Sequence, residues 1–344
     1  MNAPILVLVG GMLGAGKTSL ILEGARRLQR RGRRVGVITN DQGQHVVDTA
    51  LAHAAGMPVA EVAGGCFCCR LSDLLIAGET LAAHNVDVIF AEPVGSCLDI
   101  AATVVRPLLR DESARYQVAP LTVLVDPARA RQVEEGTDAN LAYLFRQQLA
   151  EADLVGFTKA DRWAAPTIEG VAGRSLSVKT GGGVDDWLDH VLASGTPAGR
   201  AWLAVDYDHY ARAEAALAWL NWHARVHRPD GQTPAGLVGE LTDSLVGELT
   251  GAGLEIVHLK VLDRAETGYV RASVCASGDE PSVEGTLDAS PAVQHDLIIN
   301  ARALGDPSRL SAAVAAALAP LGNDLEIEAR EAFSPAPPRP ERRA

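Results

Sequence analysis

The feature that most constrains the fold is the segment PILVLVGGMLGAGKT, in which an apolar run passes directly into a glycine-rich loop. Its last eight residues, Gly11 to Thr18, match the phosphate-binding pattern GxxxxGK[ST] in the expected place after a strand. Glycines let backbone N–H groups surround phosphates, Lys17 supplies positive charge, and the Thr18 hydroxyl can hold magnesium. The residues predicted to bind nucleotide phosphates are Gly11, Gly14, Ala15, Gly16, Lys17, Thr18 and Ser19.

The N-terminal half alternates strand-like and helix-like segments. Apolar, β-branched runs without two-residue alternation are typical of strands buried on both faces. They occupy residues 3–10, 34–40, 86–92, 119–126, 152–158 and 174–178. Helical patterns lie between or after them, at 18–32, 71–84, 139–152 and 183–194. This alternation predicts an α/β fold of the P-loop type, with a doubly wound, mostly parallel sheet.

The C-terminal part has a different pattern. Leu220, Trp222, Ala224 and Val226 alternate with polar residues, which is typical of a half-buried antiparallel strand. The segments that follow give the order β-α-β-β-β-α-β. This order predicts a smaller α+β domain, ferredoxin-like with one added strand.

The chain length supports a division into two domains, because 344 residues exceed the usual single-domain size of roughly 100–200. We predict a nucleotide-binding domain over 1–195, a linker over 196–205 and an α+β domain over 206–332. The remaining residues, 333–344, are proline-rich and poor in apolar side chains, so we expect a disordered tail.

Charge and hydropathy limit the partners. A net charge of −12 argues against a general nucleic-acid partner or an anionic membrane, since both favour basic patches. No apolar run approaches the ~20 residues that span a bilayer. The start of the sequence lacks the features of an export signal, so we expect a cytoplasmic protein with reduced cysteines.

Two later segments suggest which nucleotide binds. The stretch TKAD, with Thr158, Lys159 and Asp161, follows an apolar strand at the sheet edge where such folds bind ligands. A carboxylate there can accept two hydrogen bonds from guanine, which adenine cannot supply. TKAD resembles the NKxD motif of GTPases, with Thr in place of Asn. The stretch SVKT, with Ser177 and Val178, is similar to their last guanine-binding loop. Together they favour GTP.

Acidic residues at strand ends are candidates for magnesium. The stretch EPVG places Glu92 where it can orient magnesium, usually through water, and the Gly95 N–H where it can reach the γ-phosphate. Asp126, at the end of another strand, is a rival for the role of Glu92. The segment 40–48, NDQGQHVVD, occupies the position of a switch loop, in which Asp41 is a candidate to contact magnesium or position the attacking water.

The stretch GGCFCC concentrates three of the five cysteines of the chain. In an extended segment Cys66 and Cys68 point to one side and Cys69 to the other, so convergence on a metal requires a bend beside the glycines. Thiolates suit zinc, copper(I) or, at lower affinity, cobalt. Redox sensing is an alternative. Cys97 lies close enough to be a fourth ligand, but we interpret it as a small buried residue.

The order and approximate spacing of these motifs resemble the CobW family, relatives of HypB and UreG, over roughly residues 3–195. The resemblance implies a GTPase that handles a transition metal, zinc or cobalt, and delivers it to a client metalloprotein or cofactor-biosynthesis enzyme. It implies that Lys17 and Thr18 bind phosphate and magnesium, that Asp161 reads guanine, and that the three GGCFCC thiols bind metal. The second domain is similar to the CobW C-terminal domain in general layout.

The sequence departs from the family pattern in two places. NDQG replaces the commoner NEFG, which shortens the switch carboxylate of Asp41 by one methylene. Many relatives carry a histidine-rich tract. This chain has none, since its nine histidines are scattered along the sequence.

Our hypothesis from the sequence is a metal-coupled switch, in which GTP and magnesium order the loops that bring the thiolates together. The predicted catalytic residues are Lys17, Asp41 and Glu92. Turnover is expected to be slow without the client, and a nucleotide-dependent homodimer is a further expectation from related GTPases. The alternatives are a P-loop kinase or ATPase acting on a small molecule, and a regulatory GTPase scaffold with redox-sensing thiols.

Overall fold

The computed structural model describes residues 3–43, 47–193, 195 and 197–344. Residues 44–46 of the predicted switch, and residues 194 and 196 at the predicted linker, lie outside the described residues. The chain divides into two compact units. Unit 1 comprises the chain up to Gln42, Leu51–Ala213 and Pro337–Ala344, and unit 2 comprises Gly43–Ala50 and Glu214–Ala336. The predicted domain boundaries stay a prediction.

Unit 1 contains a sheet whose strand pairs are all parallel. The strand order is β3-β2-β4-β1-β6-β7-β8, and β5 also pairs with β1. The strands are β1 (Ile5–Gly11), β2 (Val35–Asp41), β3 (Val59–Ala63), β4 (Val88–Ala91), β5 (Gln117–Val118), β6 (Thr122–Val125), β7 (Leu154–Phe157) and β8 (Gly173–Ser175). The predicted α/β fold with a parallel sheet is confirmed.

Helices lie between these strands in the chain or follow the last of them, and two of the helices cross a boundary between the units. They are α1 (Lys17–Arg30), α2 (Val47–Ala54), α3 (Leu71–Ala82), α4 (Arg106–Asp111), α5 (Pro127–Glu135), α6 (Ala139–Ala150), α7 (Val184–Val191) and α8 (Tyr207–Ala215). A π-helical turn, Ala101–Val105, precedes α4. Trp187 of α7 stacks on Phe90 of β4 with ring centroids 6.0 Å apart, and its indole N–H donates to Thr122 at 3.1 Å. These contacts pack α7 against the sheet.

Unit 2 is an antiparallel sheet of order β12-β11-β10-β13-β9-β14. Its strands are β9 (Leu217–Gln232), β10 (Glu255–Ala265), β11 (Gly268–Val274), β12 (Ser282–Gly285), β13 (Ala292–Leu304) and β14 (Leu325–Phe333). Its helices are α9 (Pro234–Gly251) and α10 (Pro307–Leu318), the latter followed by a 3₁₀ segment, Ala319–Asp324. The alternating apolar residues predicted for β9 are buried.

Four strands and both helices of unit 2 form the predicted ferredoxin-like arrangement, with β10, β13, β9 and β14 side by side. The structure adds two strands to it, β11 and β12, where the sequence predicted one. All four residues of β12 are exposed, so this strand carries no apolar pattern by which the sequence could reveal it.

The segment after β14 has neither helix nor strand, yet residues 337–344 belong to unit 1. This differs from the disordered tail that we expected, and its contacts are described below. Among the described residues, no helix combines the length and the apolar character that crossing a membrane requires.

Candidate nucleotide and metal site

The glycine-rich loop between β1 and α1 has the conformation that its sequence predicts. Gly14 and Gly16 adopt positive φ angles of 81° and 88°, which glycine allows without steric cost. A Cβ atom on Gly11 would lie 2.4 Å from the carbonyl oxygen of Leu124, so only glycine fits there. The loop leads directly into α1 at Lys17, and the N-terminus of a helix is a favourable site for phosphate.

Three predicted site residues converge beside this loop. The Thr18 hydroxyl donates to Glu92 Oε1 at 3.1 Å, and Lys17 Nζ lies 3.9 Å from the same oxygen and 3.4 Å from the carbonyl oxygen of Met12. Lys17, Thr18 and Glu92 are all buried. A hydroxyl beside a carboxylate is a donor set that suits magnesium, which prefers hard oxygen ligands. Asp41 is also buried and ends β2, a neighbour of the β4 strand that precedes Glu92.

The rival carboxylate, Asp126, makes two other contacts. Its Oδ1 accepts from the backbone N–H of Ala128 at 3.0 Å, which caps α5, and its Oδ2 accepts from Lys159 Nζ at 2.6 Å. Helix capping and an ion pair account for this residue. Of the two carboxylates, Glu92 is the one that contacts residues of the glycine-rich loop.

The two predicted guanine-binding loops lie against each other. Ser177 Oγ donates to Asp161 Oδ1 at 2.7 Å, and the Ala160 N–H donates to Leu176 O at 3.1 Å. The hydrogen bond from Ser177 lowers the pKa of Asp161, which keeps this exposed carboxylate ionised and able to accept from a base. The Thr158 hydroxyl, at the start of TKAD, donates to Val125 O in β6 at 3.2 Å.

Three cysteine sulfurs lie close together in unit 1. One of them belongs to Cys97, which we expected only to be a small buried residue. The Sγ atoms of Cys66, Cys68 and Cys97 all lie within 4.8 Å of one another. The Cys66–Cys68 separation is 2.7 Å and the Cys68–Cys97 separation is 3.6 Å. These side chains are 5%, 1% and 3% exposed, respectively. We call these three residues the thiol cluster.

Cys69 lies at the edge of this cluster and is partly exposed. Its Sγ is 3.6 Å from Cys68 Sγ and accepts a hydrogen bond from the Arg339 N–H at 3.1 Å. The bend that we expected is present, since the Cys69 N–H donates to Cys66 O at 2.9 Å and Gly64 has a φ of 77°.

Cys97 reaches the cluster because of the sheet topology. Strands β3 and β4 flank β2, and the loops carrying GGCFCC and Cys97 leave them at the same edge. A turn in which the Cys97 N–H donates to Val94 O at 3.0 Å directs this residue back toward Cys68. The sequence did contain one indication that Cys97 lies near the other thiols. Both cysteine segments follow apolar strands that were predicted to belong to one parallel sheet.

Two thiols of this region, Cys68 and Cys69, have pKa values above the ordinary value of a cysteine. Hydrogen bonds with the surrounding thiols, Cys66 first, and burial raise the pKa of Cys68 well above its ordinary value. The hydrogen bond with Cys66, together with burial, raises the pKa of Cys69 to about 11. A cation that binds thiolates here must therefore displace protons.

Asn40, at the end of β2, is a residue that sequence reasoning did not single out. Its Nδ2 donates to Val62 O at 2.8 Å and to Gly65 O at 2.6 Å. Its Oδ1 accepts from the Phe67 N–H at 3.0 Å and from the Val94 N–H at 3.4 Å. One buried amide thus links the thiol loop to the EPVG loop.

The C-terminal segment lies against the thiol loop. Besides the Arg339 contact with Cys69, the Glu341 N–H donates to Cys68 O at 3.1 Å. The Glu341 carboxylate accepts from the backbone N–H and the hydroxyl of Ser72, at 2.9 and 2.7 Å. These four contacts hold the segment at the beginning of α3.

A buried carboxylate explains why a proline-rich segment is held in place. Asp99 is 1% exposed, and it accepts from the Tyr207 hydroxyl at 2.6 Å and from Arg343 Nε at 2.8 Å. A buried charge is costly unless it is paired and hydrogen-bonded. Arg343 supplies the cation, and the Ala344 N–H adds a bond to Ala102 O at 2.9 Å. The proline-rich composition of the C-terminal segment could not reveal that Arg343 pairs with Asp99.

Comparisons with known proteins find relatives of part of the chain. The zinc chaperone CobW of Pseudomonas aeruginosa is 29% identical over 191 residues, which cover 47% of this chain and 50% of that protein. The zinc chaperone YjiA of Escherichia coli is 27% identical over 168 residues, covering 47% of this chain and 51% of that one. The chain therefore spans about half the length of the curated relatives that it matches.

Two solved structures are also similar in parts. The Zn(II)-bound YjiA GTPase from E. coli is 16% identical, with 92% of this chain and 99% of that chain covered and a TM-score of 0.34. HypB from Helicobacter pylori in complex with nickel is 18% identical, with 55% and 86% covered and a TM-score of 0.40.

The family model described as the CobW/HypB/UreG nucleotide-binding domain matches residues 5–181, just over half of the 344 residues. The matched region includes the glycine-rich loop, the thiol loop, EPVG and TKAD. With this match, the chain belongs to the CobW/HypB/UreG family.

Proposed function

We propose that this protein is a GTP-binding and GTP-hydrolysing metallochaperone, which couples its nucleotide state to the binding and delivery of a transition metal. The observation that carries the proposal is the position of the loop that follows β4, residues 92–97. Glu92 of this loop accepts from Thr18 of the phosphate-binding loop at 3.1 Å, and five residues later Cys97 reaches the thiol cluster, 3.6 Å from Cys68. A single short segment therefore contacts both the nucleotide site and the metal site.

The residues around the glycine-rich loop suit phosphate binding and GTP hydrolysis. Backbone N–H groups and Lys17 stabilise the phosphate charge, and Thr18 and Glu92 would hold magnesium, which neutralises the charge that develops on the phosphate oxygens. Water attacks the γ-phosphorus, and the bond to the β-phosphate oxygen breaks to give GDP and inorganic phosphate. We assign Asp41 to orient that water or the magnesium, and we expect slow turnover without a client.

The coupling follows from the hydrogen bonds of Asn40. The γ-phosphate would hold Gly95 and Val94 in place, and Val94 shares the Asn40 side chain with the thiol loop. Loss of the γ-phosphate frees this loop, and the affinity of the thiols for metal falls. By thermodynamic linkage, metal must tighten GTP binding by the same factor by which GTP tightens metal binding.

Zinc is the cargo that the relatives favour, since both curated relatives are named zinc chaperones, and cobalt is the second candidate. The recipient would be a client metalloprotein or an enzyme of cofactor biosynthesis. We also propose a nucleotide-dependent homodimer and a cytoplasmic location. Among the described residues none of the five cysteines forms a disulfide, which suits a reducing compartment.

The test is a competition titration of reduced, full-length protein with Zn²⁺ and Co²⁺, in the presence of magnesium and GTP, GDP or ATP. We expect GTP alone to tighten metal binding, by roughly 5–150-fold. Asp161→Ala should remove the preference for GTP over ATP, because the carboxylate is lost while the phosphate-binding loop is intact. Cys66→Ala and Cys68→Ala should abolish the metal binding, and Cys275→Ala, a change in unit 2, is their matched control.

Two results would contradict the proposal. Equal metal affinity with every nucleotide would separate the metal site from the nucleotide site. Preferential ATP binding would favour a P-loop kinase or ATPase instead.

A further inference from the structure

The loop that carries Cys97 is held so that its sulfur faces the other thiols. Gln148 Nε2 donates to Gly95 O at 2.9 Å and to Cys97 O at 3.1 Å. The next residue, Leu98, donates its N–H to the Tyr210 hydroxyl at 3.0 Å. The backbone on both sides of Cys97 is therefore fixed by buried partners.

The sulfur separations suit a shared cation. Zinc–thiolate bonds of about 2.3 Å in tetrahedral geometry place two sulfurs about 3.8 Å apart. Cys68 and Cys97 already lie 3.6 Å apart, whereas Cys66 and Cys68, at 2.7 Å, would separate by about 1 Å around a metal. Such a shift is a change of side-chain rotation in the bent thiol loop.

The donor set indicates the class of cation. Within the part of the chain that the structure describes, the only group of three or more potential ligand side chains gathered within 4.8 Å consists of Cys66, Cys68 and Cys97. Three sulfurs without an imidazole or carboxylate among them favour a thiophilic cation, such as Zn²⁺, over ions that prefer oxygen or nitrogen.

We propose that Cys97 is a ligand of the cargo cation and completes an all-sulfur site with Cys66 and Cys68, ahead of Cys69. This inference rests on the proposed function. Cys69 is the weaker candidate because it is partly exposed at the edge of the cluster and its sulfur accepts a hydrogen bond from Arg339.

The position of Cys97 gives the ligand a second role. It lies two residues after Gly95, and the same Gln148 side chain binds the carbonyls of both residues. A displacement of Gly95 by the γ-phosphate therefore moves Cys97 with it. The cation would lose or gain one sulfur as the nucleotide changes, which is a direct route from hydrolysis to release.

The experiment compares full-length wild type with Cys97→Ala, Cys69→Ala and Cys275→Ala. Co²⁺ serves as a spectroscopic probe, because its thiolate charge-transfer absorption grows with the number of bound sulfurs. Zn²⁺ affinity is then measured by competition, with GTP and with GDP. We expect Cys97→Ala to lose about a third of the charge-transfer intensity and to bind Zn²⁺ at least about tenfold more weakly. Cys69→Ala should reduce the charge-transfer intensity and the Zn²⁺ affinity by less than Cys97→Ala does. Cys275→Ala should change neither quantity.

Folding of each variant is checked by its urea unfolding curve in the absence of metal and nucleotide. Cys97→Ser is a second variant of nearly the same volume, should the alanine variant unfold. Full charge-transfer intensity in both Cys97 variants, with its loss in Cys69→Ala, overturns the inference and leaves the proposed function standing. A wild type that binds neither Zn²⁺ nor Co²⁺ overturns the proposed function, and the inference with it.

Discussion

Asn40 is the side chain on which the candidate site depends most at the scale of single residues. Its amide is buried and satisfies two carbonyl groups and two N–H groups from separate segments of the chain. Buried polar groups left without a partner cost about 1–3 kcal/mol each. The residue therefore holds the two loops together, and in the proposed function it would act on the metal only through them.

Replacing this amide should weaken metal binding while all thiols remain. For Asn40→Ala we expect a loss of about 1–3 kcal/mol in the free energy of unfolding, because several buried groups lose a partner. We expect Zn²⁺ affinity to fall about 10–100-fold, the range for residues that orient ligands. Urea unfolding and zinc competition measure the two effects.

The matched control is Asn323→Ala, an exposed asparagine of unit 2. Asn40→Asp separates the two halves of the amide, since it keeps the acceptor and removes both donors. Wild-type zinc affinity in Asn40→Ala would show that the loops do not need this link.

At the scale of elements, the end of α6 places a carboxyl group inside unit 1. Glu151 follows this helix, and its Oε2 accepts from the Ala101 N–H of the π-helical turn at 3.0 Å. Burial raises the pKa of Glu151 to about 8, and the nearby Asp99 charge adds to the effect. The side chain is therefore mainly protonated in the folded protein at neutral pH.

This burial should make stability depend on pH. The unfolded chain ionises Glu151 near pH 4.3, whereas the folded protein holds the proton until about pH 8. Stability is thus lost as the pH rises between these values, by up to about 1.4 kcal/mol per pH unit, and no further above them. Glu151→Gln keeps an acceptor for Ala101 without ionising, so its advantage over wild type should grow from pH 5 to pH 8.

Urea unfolding of both proteins at several pH values measures this advantage. Glu135→Gln, at an exposed position of α5, is the control for loss of one charge. Parallel stability curves for wild type and Glu151→Gln would refute a buried, protonated Glu151.

The elements that sequence predicted are those with a local signature. The glycine-rich loop, the buried strands and the alternating face of β9 each carry a pattern within one short stretch. The exposed strand β12 has no apolar pattern. The inclusion of Cys97 in the thiol cluster depends on how β2 separates β3 from β4, and strand order is not encoded locally. The four hydrogen bonds of Asn40 are equally non-local.

At the scale of the whole molecule, the last residues of the described chain belong to unit 1, although unit 2 lies between them in sequence. Arg343 pairs with the buried Asp99, and Arg339 donates to the Cys69 thiol. The tail thus stabilises unit 1 and partly covers the edge of the thiol cluster.

Removal of residues 337–344 should expose Cys69. We expect faster alkylation of Cys69 by iodoacetamide, followed by mass spectrometry, with the rate at Cys275 unchanged because it lies in unit 2. The single variant Arg343→Ala should lower the free energy of unfolding by about 1–3 kcal/mol, since Asp99 keeps only its hydrogen bond from Tyr207.

Arg342→Ala is the matched control for that variant. Arg342 pairs with Asp111 at 3.3 Å on the surface, where an ion pair contributes about 0–1 kcal/mol. Equal stability of the two arginine variants, or an unchanged alkylation rate after truncation, would show that the tail does not hold this region.

The shared acceptor on Asn40 has a consequence for local unfolding. The N–H groups of Phe67 and Val94 donate to the same oxygen, although 27 residues separate them in the chain. Neither loop can open far without disturbing the other, so the two form one cooperative unit in the sense of native-state hydrogen exchange. Their amide protons should then exchange with solvent at similar rates, and a ligand at either site should slow both.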